Sequence, residues 1–237
     1  MRSWLDGLIA ILLAPTCAAC ARPLPHPTRG CVCDACWASV LTIPEPQCRR
    51  CGDTLDGRFH GEVCVACARR PSPIDQARAI GPYGGTLRDI VHALKYDGRR
   101  SLARPLAARM KSAATPFIAD VHVAVPVPLH RSRRRSRGFN QAADLARHLG
   151  LPMVHALART RATDTQTALP ADARHANVAG AFRLTRRGRA LAGRGVLLVD
   201  DVRTTGATLE ACAEVLKRAG VTRVCAVTAA RVETPQG

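Results

Sequence analysis

Four Cys-x-x-Cys pairs crowd the first third of the chain, and they constrain its folding more than any other feature. The pairs are Cys17/Cys20, Cys33/Cys36, Cys48/Cys51 and Cys64/Cys67, eight of the eleven cysteines in 237 residues. Twelve residues separate the two pairs of each half, and the second half begins thirty-one residues after the first. Such self-similarity at a fixed period is expected of a duplicated zinc ribbon. Two thiolates from one tight turn reach a single tetrahedral ion, and two such turns close a shell of four. A closed shell offers no open position, so two structural Zn2+ ions are expected to fold residues 17–67 rather than activate water. A disulfide framework and an iron–sulfur cluster are the competing readings, the first disfavoured by the lack of an export signal. Cys31, two residues before Cys33, is able to substitute as a ligand of the first site. Sequential ribbons and a cross-braced pair share this spacing, so the pairing is open. Cys212 and Cys225 stand far away at apolar positions and read as small core residues.

Ahead of the cysteines, in residues 1–16, Leu5, Leu8, Ile9, Leu12 and Leu13 recur at helical spacing, which predicts a short amphipathic helix docked on the rest of the protein. Asp6 interrupts the apolar run and Pro15-Thr16 is a poor cleavage context, so no secretory signal is expected. A membrane-surface anchor is the lesser reading, because the polar face is almost without basic residues. No stretch approaches the roughly 20 apolar residues that cross a bilayer, so the expectation is no membrane span and a cytoplasmic location. The formal charge of +17 favours a polyanionic partner, either nucleic acid or a phosphorylated substrate. Lys occurs only at 95, 111 and 217, so this charge is nearly all Arg, which a compositional bias of the source genome also produces.

The cysteine module is assigned to residues 17–70. Past Pro71-Ser72-Pro73, a linker by composition, residues 74–237 alternate short apolar runs with helical periodicity, the pattern of an α/β domain. Strands are predicted at 121–127, 153–157, 195–202 and 223–228. Three apolar stripes predict core-facing helices: Leu87, Ile90, Val91 and Leu94; Ala142, Leu145, Ala146 and Leu149; Cys212, Val215, Leu216 and Ala219.

The most informative segment is 196–219. Val196-Leu197-Leu198-Val199 reads as a buried parallel strand that runs through Asp200-Asp201-Val202-Arg203-Thr204-Thr205-Gly206-Ala207-Thr208 into the third helix. Free N–H groups and the positive dipole end at a helix start suit a phosphate, and Thr204, Thr205 and Thr208 add hydroxyl donors. Gly206 permits close backbone approach. Adjacent carboxylates at Asp200 and Asp201 repel a phosphate, so they match neutral hydroxyls such as those of a ribose. The plain alternative is an ordinary capped helix start.

This segment resembles the phosphoribosyl diphosphate signature of type I phosphoribosyltransferases, and with the cysteine module the chain resembles the ComF family. Further segments carry the likeness: Ala93-Leu94-Lys95-Tyr96, Val125-Pro126-Val127-Pro128-Leu129-His130, Arg137-Gly138-Phe139-Asn140-Gln141-Ala142, and Gln166 with Leu169, Arg174, Asn177 and Phe182. The resemblance implies a mostly parallel sheet with flanking helices behind a small zinc-ribbon module. It implies a pyrophosphate loop at Val127 to His130, including Pro128, and a mobile lid over residues 159–177. Arg203 occupies a freely variable position in such signatures.

If the domain is a phosphoribosyltransferase, it binds phosphoribosyl diphosphate with Mg2+ and lets a nucleophile attack C1 of the ribose. Asp200 and Asp201 then hold the ribose and residues 204–208 the 5-phosphate. Lys95, Arg131, Arg137 and the lid arginines Arg159, Arg161 and Arg174 are candidates to meet the pyrophosphate. Few aromatic residues are present to stack an acceptor base. His130 is either a proton carrier or an ordinary hydrogen-bonding turn residue. The second reading is a nucleic-acid-handling accessory protein, since ComF resemblance implies DNA uptake in natural transformation. Its candidate partners are single-stranded DNA, met by the ribbons and the five arginines of 131–137, and proteins of the uptake machinery. A zinc-ribbon scaffold for protein interaction is a third reading.

Overall fold

The computed structural model describes residues 2–55, 61–161 and 178–232. The helices are α1 (Arg2–Leu13), α2 (Asp34–Ala38), α3 (Val65–Arg69), α4 (Gly85–Tyr96), α5 (Ala103–Ala113), α6 (Arg131–Arg137), α7 (Gln141–Ala146) and α8 (Ala207–Arg218). The strands are β1 (Gln76–Pro82), β2 (Val123–Pro126), β3 (Leu157–Arg159), β4 (Phe182–Leu184), β5 (Gly195–Arg203) and β6 (Arg223–Arg231). β1, β6, β5 and β2 form, in that order, a four-stranded parallel sheet, while β3 and β4 pair antiparallel beside it.

Successive residues of a strand face opposite sides, and here both sides are dry. Leu197 and Val199 of β5, with Cys225 and Val227 of β6, face a core filled by Leu87, Ile90 and Leu94 of α4, Leu106 and Met110 of α5, and Leu145 of α7. Val196, Leu198, Val224 and Ala226 face the other core, filled by Leu209, Cys212 and Leu216 of α8 with Leu157 and Phe182 of the hairpin. Cys212 and Cys225 are fully buried in these cores.

The predicted strands at 121–127, 195–202 and 223–228 form as β2, β5 and β6. Residues 153–157 do not form one strand of the main sheet. Met153 makes a single parallel bridge to Ala124, and then the Ala156 N–H turns back to the Val154 carbonyl at 2.9 Å. That tight turn ends the pairing, and the chain restarts at Leu157 as β3 of the separate hairpin. β1 was not predicted. It is an edge strand that alternates Gln76 and Arg78 with small residues and ends in Gly81-Pro82, so no apolar run announces it.

The cysteine region repeats its hydrogen bonds as faithfully as its sequence. Cys17 N–H donates to Arg22 O at 2.8 Å, Leu24 N–H to Pro15 O at 2.9 Å and Ala21 N–H to Cys17 O at 2.9 Å. Thirty-one residues on, Cys48 donates to Asp53 O at 2.6 Å, Leu55 to Pro46 O at 2.7 Å and Gly52 to Cys48 O at 2.9 Å. The residue after each turn adopts positive φ, +58° at Ala21 and +73° at Gly52. The first ribbon shares its core with the sheet: Cys17, Leu24, Val32 and Cys36 belong to the same cluster as α4 and α5. The 71–73 segment lies on α8, where Ser72 Oγ meets Glu210 Oε1 at 3.3 Å.

α1 is tied down by Asp6, whose Oδ1 accepts from Thr28 N–H at 3.0 Å and whose Oδ2 lies 3.5 Å from His26 Nδ1. At its far end Leu12 and Leu13, two members of the predicted docking stripe, stand 70% and 74% exposed. Among the described residues no helix is long and apolar enough to cross a membrane.

Candidate sugar-phosphate site and cysteine clusters

The site forms where parallel strands end, the place where open α/β sheets bind ligands. β5 carries Asp200 and Asp201 to its carboxyl end, and the chain turns through Gly206, at φ +87°, into α8. Positive φ there favours glycine, and the first N–H groups of a helix such as α8 lack partners within the helix. Thr205 Oγ1 accepts from the Ala207 N–H at 3.5 Å, and Thr204 and Thr208 line the cleft with Gly206. The cavity measures about 270 Å³.

The two carboxylates are unlike. Asp201 is buried and pairs through Oδ1 with Lys95 Nζ at 2.7 Å, while its Oδ2 has no hydrogen-bond partner. Burial works against the Lys95 ammonium, but the Asp201 carboxylate outweighs it and holds Lys95 above its usual range. Asp200 accepts the Asp201 N–H at 2.9 Å. Burial, and then the neighbouring Asp201 charge, push Asp200 up to about 7, against the pull of that N–H, Lys95 and Arg159. At neutral pH the site therefore holds a carboxylate neutralised by a lysine and a carboxyl balanced between its protonation states, a set suited to hydroxyl groups.

The opposite wall is the Val127 to His130 turn. Val127 N–H donates to Val199 O at 2.9 Å and Asn140 Nδ2 to Val127 O at 3.1 Å, while Asn140 Oδ1 caps α7 through the Ala142 N–H at 3.1 Å. Val127, Pro128 and Leu129 line the cavity. His130 is the cap of α6: its Nδ1 accepts from the Ser132 N–H at 3.3 Å and lies 2.8 Å from Ser132 Oγ. That is a positioning duty, which favours the hydrogen-bonding reading over proton carriage.

Of the predicted basic residues, Lys95, Arg137 and Arg159 reach the cavity. Arg131, at the exposed start of α6, and Arg161, whose Nη2 donates to Ala179 O at 3.1 Å, lie outside its lining. Arg174 and most of the 159–177 segment, with Gln166, Leu169 and Asn177, lie outside the described residues. Tyr83, Tyr96, Arg133 and Gln141 also line the cavity. Arg133 belongs to the arginine run expected to contact phosphate or nucleic acid; the other three had no predicted site role, although Tyr96 and Gln141 sit within two of the segments that carried the family likeness. Both tyrosines of the chain are here, Tyr96 standing 64% exposed at the mouth with the Arg137 guanidinium 5.0 Å from its ring. Their scarcity was itself a signal.

The cysteines form two sequential clusters, Cys17/Cys20/Cys33/Cys36 and Cys48/Cys51/Cys64/Cys67, with the sulfurs of each within 4.8 Å of one another. The cross-braced alternative is excluded. Backbone N–H groups already point at the sulfurs, Cys33 to Cys17 Sγ at 3.4 Å and Cys64 to Cys48 Sγ at 3.3 Å. Four cysteine sulfurs so arranged fit one tetrahedral Zn2+ per cluster. Such an ion closes the shell and supplies folding energy. Cys31 is not a ligand: it matches Glu62 of the second ribbon, both giving their carbonyl to the first turn, and its Sγ lies 3.5 Å from Ser101 Oγ.

Comparison with known proteins agrees with both halves. The model of the phosphoribosyl transferase domain matches residues 135–236, and the model of the double zinc ribbon domain matches residues 8–73. The chain is thus a phosphoribosyltransferase-type domain behind a double zinc ribbon. Competence protein F of Haemophilus influenzae is 30% identical over 218 residues, 88% of this chain and 93% of the relative. DNA utilization protein YhgH of Escherichia coli K12 is 31% identical over the same shares, and competence protein ComFC of Bacillus subtilis 25% identical over 79% and 85%. The chain belongs to the ComF family.

Proposed function

We propose that the chain binds phosphoribosyl diphosphate at the end of β5 and takes part in DNA utilization. The observation that carries this reading is the Asp200–Asp201 pair, with Lys95 on one member, set beside the start of α8 in one cleft. The ribose hydroxyls meet the carboxyl pair, and the 5-phosphate meets the N–H and hydroxyl groups of 204–208. Arg133, Arg137 and Arg159 line the same cleft and would meet the pyrophosphate. Mg2+ would be bound together with the diphosphate, since it usually takes only one or two carboxylates from the protein. Bound there, it would supply charge neutralisation for the leaving pyrophosphate. The family relationship supports the link to DNA, and the site supports the sugar phosphate.

A second role, contact with single-stranded DNA, is favoured by α6. Its seven residues hold five arginines, and Arg131, Arg134 and Arg135 project into solvent at the edge of the cleft wall. Replacing these three by Gln is expected to reduce the slope of log affinity against log salt for a dT oligonucleotide by about 2, at about 0.7 per lost phosphate contact. Phosphoribosyl diphosphate binding should stay intact in that variant and fail in Asp200→Asn with Asp201→Asn. A salt slope unchanged by the triple replacement removes α6 from the DNA reading. Sugar-phosphate binding indifferent to the two carboxyls removes the first.

A further inference from the structure

The Cys48–Cys51 turn is fastened to the sheet by every one of its carbonyls. Arg78 Nη1 donates to Cys48 O and to Arg49 O, each at 3.2 Å, and the Ala77 N–H donates to Arg50 O at 2.6 Å. The fourth carbonyl, Cys51 O, accepts from Arg203 Nη1 at 2.6 Å. The turn thereby covers the free edge of β1 and touches the last residue of β5. Gly52 makes this approach possible, because a Cβ there would lie 2.7 Å from Ala77 O.

Arg203 stands between the carboxyl pair and the phosphate-binding turn. Its Nη2 lies 3.7 Å from Asp53 Oδ1, and Asp53 also accepts from Arg231, the cross-strand partner of Arg203. Its carbonyl accepts the Val232 N–H at 2.8 Å, and its Nε lies 3.7 Å from where a Cβ of Gly206 would be. The side chain turns away from the cleft lining and toward the ribbon. Two metal ligands thus fix a turn whose last carbonyl holds a residue three positions before the helix-opening glycine.

We propose that Arg203 is a positioning residue that couples the second zinc ribbon to the sugar-phosphate site, so that metal in the Cys48/Cys51/Cys64/Cys67 cluster raises affinity at residues 204–208. This rests on the reading of those residues as a phosphate-binding segment. With the metal gone, four crowded thiolates no longer hold the turn, and Arg203 loses the carbonyl that keeps the loop in its binding shape. Coupling of this kind is reciprocal: if metal favours the ligand, the ligand must favour the metal by the same factor.

The test challenges the zinc-loaded full chain with a chelator and an alkylating agent, with and without phosphoribosyl diphosphate and Mg2+. Peptide mass spectrometry then reads labelling of each cysteine. The ligand is expected to slow labelling of Cys48, Cys51, Cys64 and Cys67 by roughly tenfold, within the usual range of coupling between sites, and to leave Cys17, Cys20, Cys33 and Cys36 unchanged. In Arg203→Ala that selective protection should vanish, and Arg203→Lys, which keeps a donor but not the fork, should restore part of it. Protection that persists in Arg203→Ala overturns the proposal, as does a wild type that binds the ligand with no protection of the second cluster. Should calorimetry show that the wild type binds no ligand, the sugar-phosphate reading fails on its own. The strap is then judged without ligand: faster labelling of the second cluster alone in Arg203→Ala upholds the mechanical link, and unchanged labelling overturns it.

Discussion

Cys36→Ser is expected to destabilise the whole protein, not just its first ribbon. Cys36 and Cys17 are zinc ligands and also members of the core that holds Leu87, Ile90 and Leu94 of α4. Losing the ion leaves three thiols and a hydroxyl crowded at the margin of that core. Loss of a structural metal is among the few single changes that cost more than about 4 kcal/mol, and at roughly 2–4 °C per kcal/mol it lowers Tm by at least ~8–16 °C. Cys31→Ser is the control. Its sulfur lies outside both clusters, so its cost should stay within about 0.5 kcal/mol. Calorimetric melting of the two variants beside wild type separates a ligand from a bystander. Equal melting of Cys36→Ser and Cys31→Ser would contradict the zinc assignment.

Lys95→Met should be nearly as damaging, and in a pH-dependent way. Lys95 and Asp201 are 14% and 6% exposed, and breaking such a pair by removing one partner costs about 3–5 kcal/mol, because the other charge stays buried. Asp200 adds the sign. Its carboxyl is raised to about 7 when folded, so the stability it contributes is full below pH 4 and fades as pH rises through 7. Lys95 is one of the groups pulling it down, so the variant lifts Asp200 further. The gap between wild type and Lys95→Met is therefore expected to be widest above pH 7 and to shrink toward pH 4, where Asp200 is protonated in both. Urea midpoints at pH 5 and pH 8 measure it. A gap that widens on acidification would rule out the buried pair as its cause.

What could be read from the sequence divides along physical lines. The ribbons were legible because metal geometry is local: Cys17/Cys20 and Cys48/Cys51 declare their turns by spacing, and the hydrogen bonds of one recur in the other thirty-one residues later. β5 was legible because a strand buried on both faces must be a continuous apolar run, as Val196 to Val199 is. β1 was not, because an edge strand that takes a ribbon turn as its neighbour needs no such run. α6 has no apolar stripe at all. It is set by its ends, the His130 cap and Gly138 at φ +77°. The carboxyl pair and the turn after it were visible as a motif, but the cleft walls were not. Tyr83, Arg133 and Gln141 come to Asp200 from separate elements, and only the packed sheet brings them together. Arg203, which sits at a freely variable place in the motif, proves to be tied to Cys51 across 152 residues of chain, a contact no local pattern encodes.

The central claim is that the end of β5 is a ribose-phosphate site, and titration calorimetry of the zinc-loaded chain with phosphoribosyl diphosphate and Mg2+ tests it most directly. Saturable binding is predicted for the wild type. A loss of about a hundredfold or more is predicted for Asp200→Asn with Asp201→Asn, since two hydrogen bonds to charged groups contribute roughly 1.5–3 kcal/mol each. A folded wild-type protein that takes up no ligand, or a double variant that binds as well as wild type, would contradict the account.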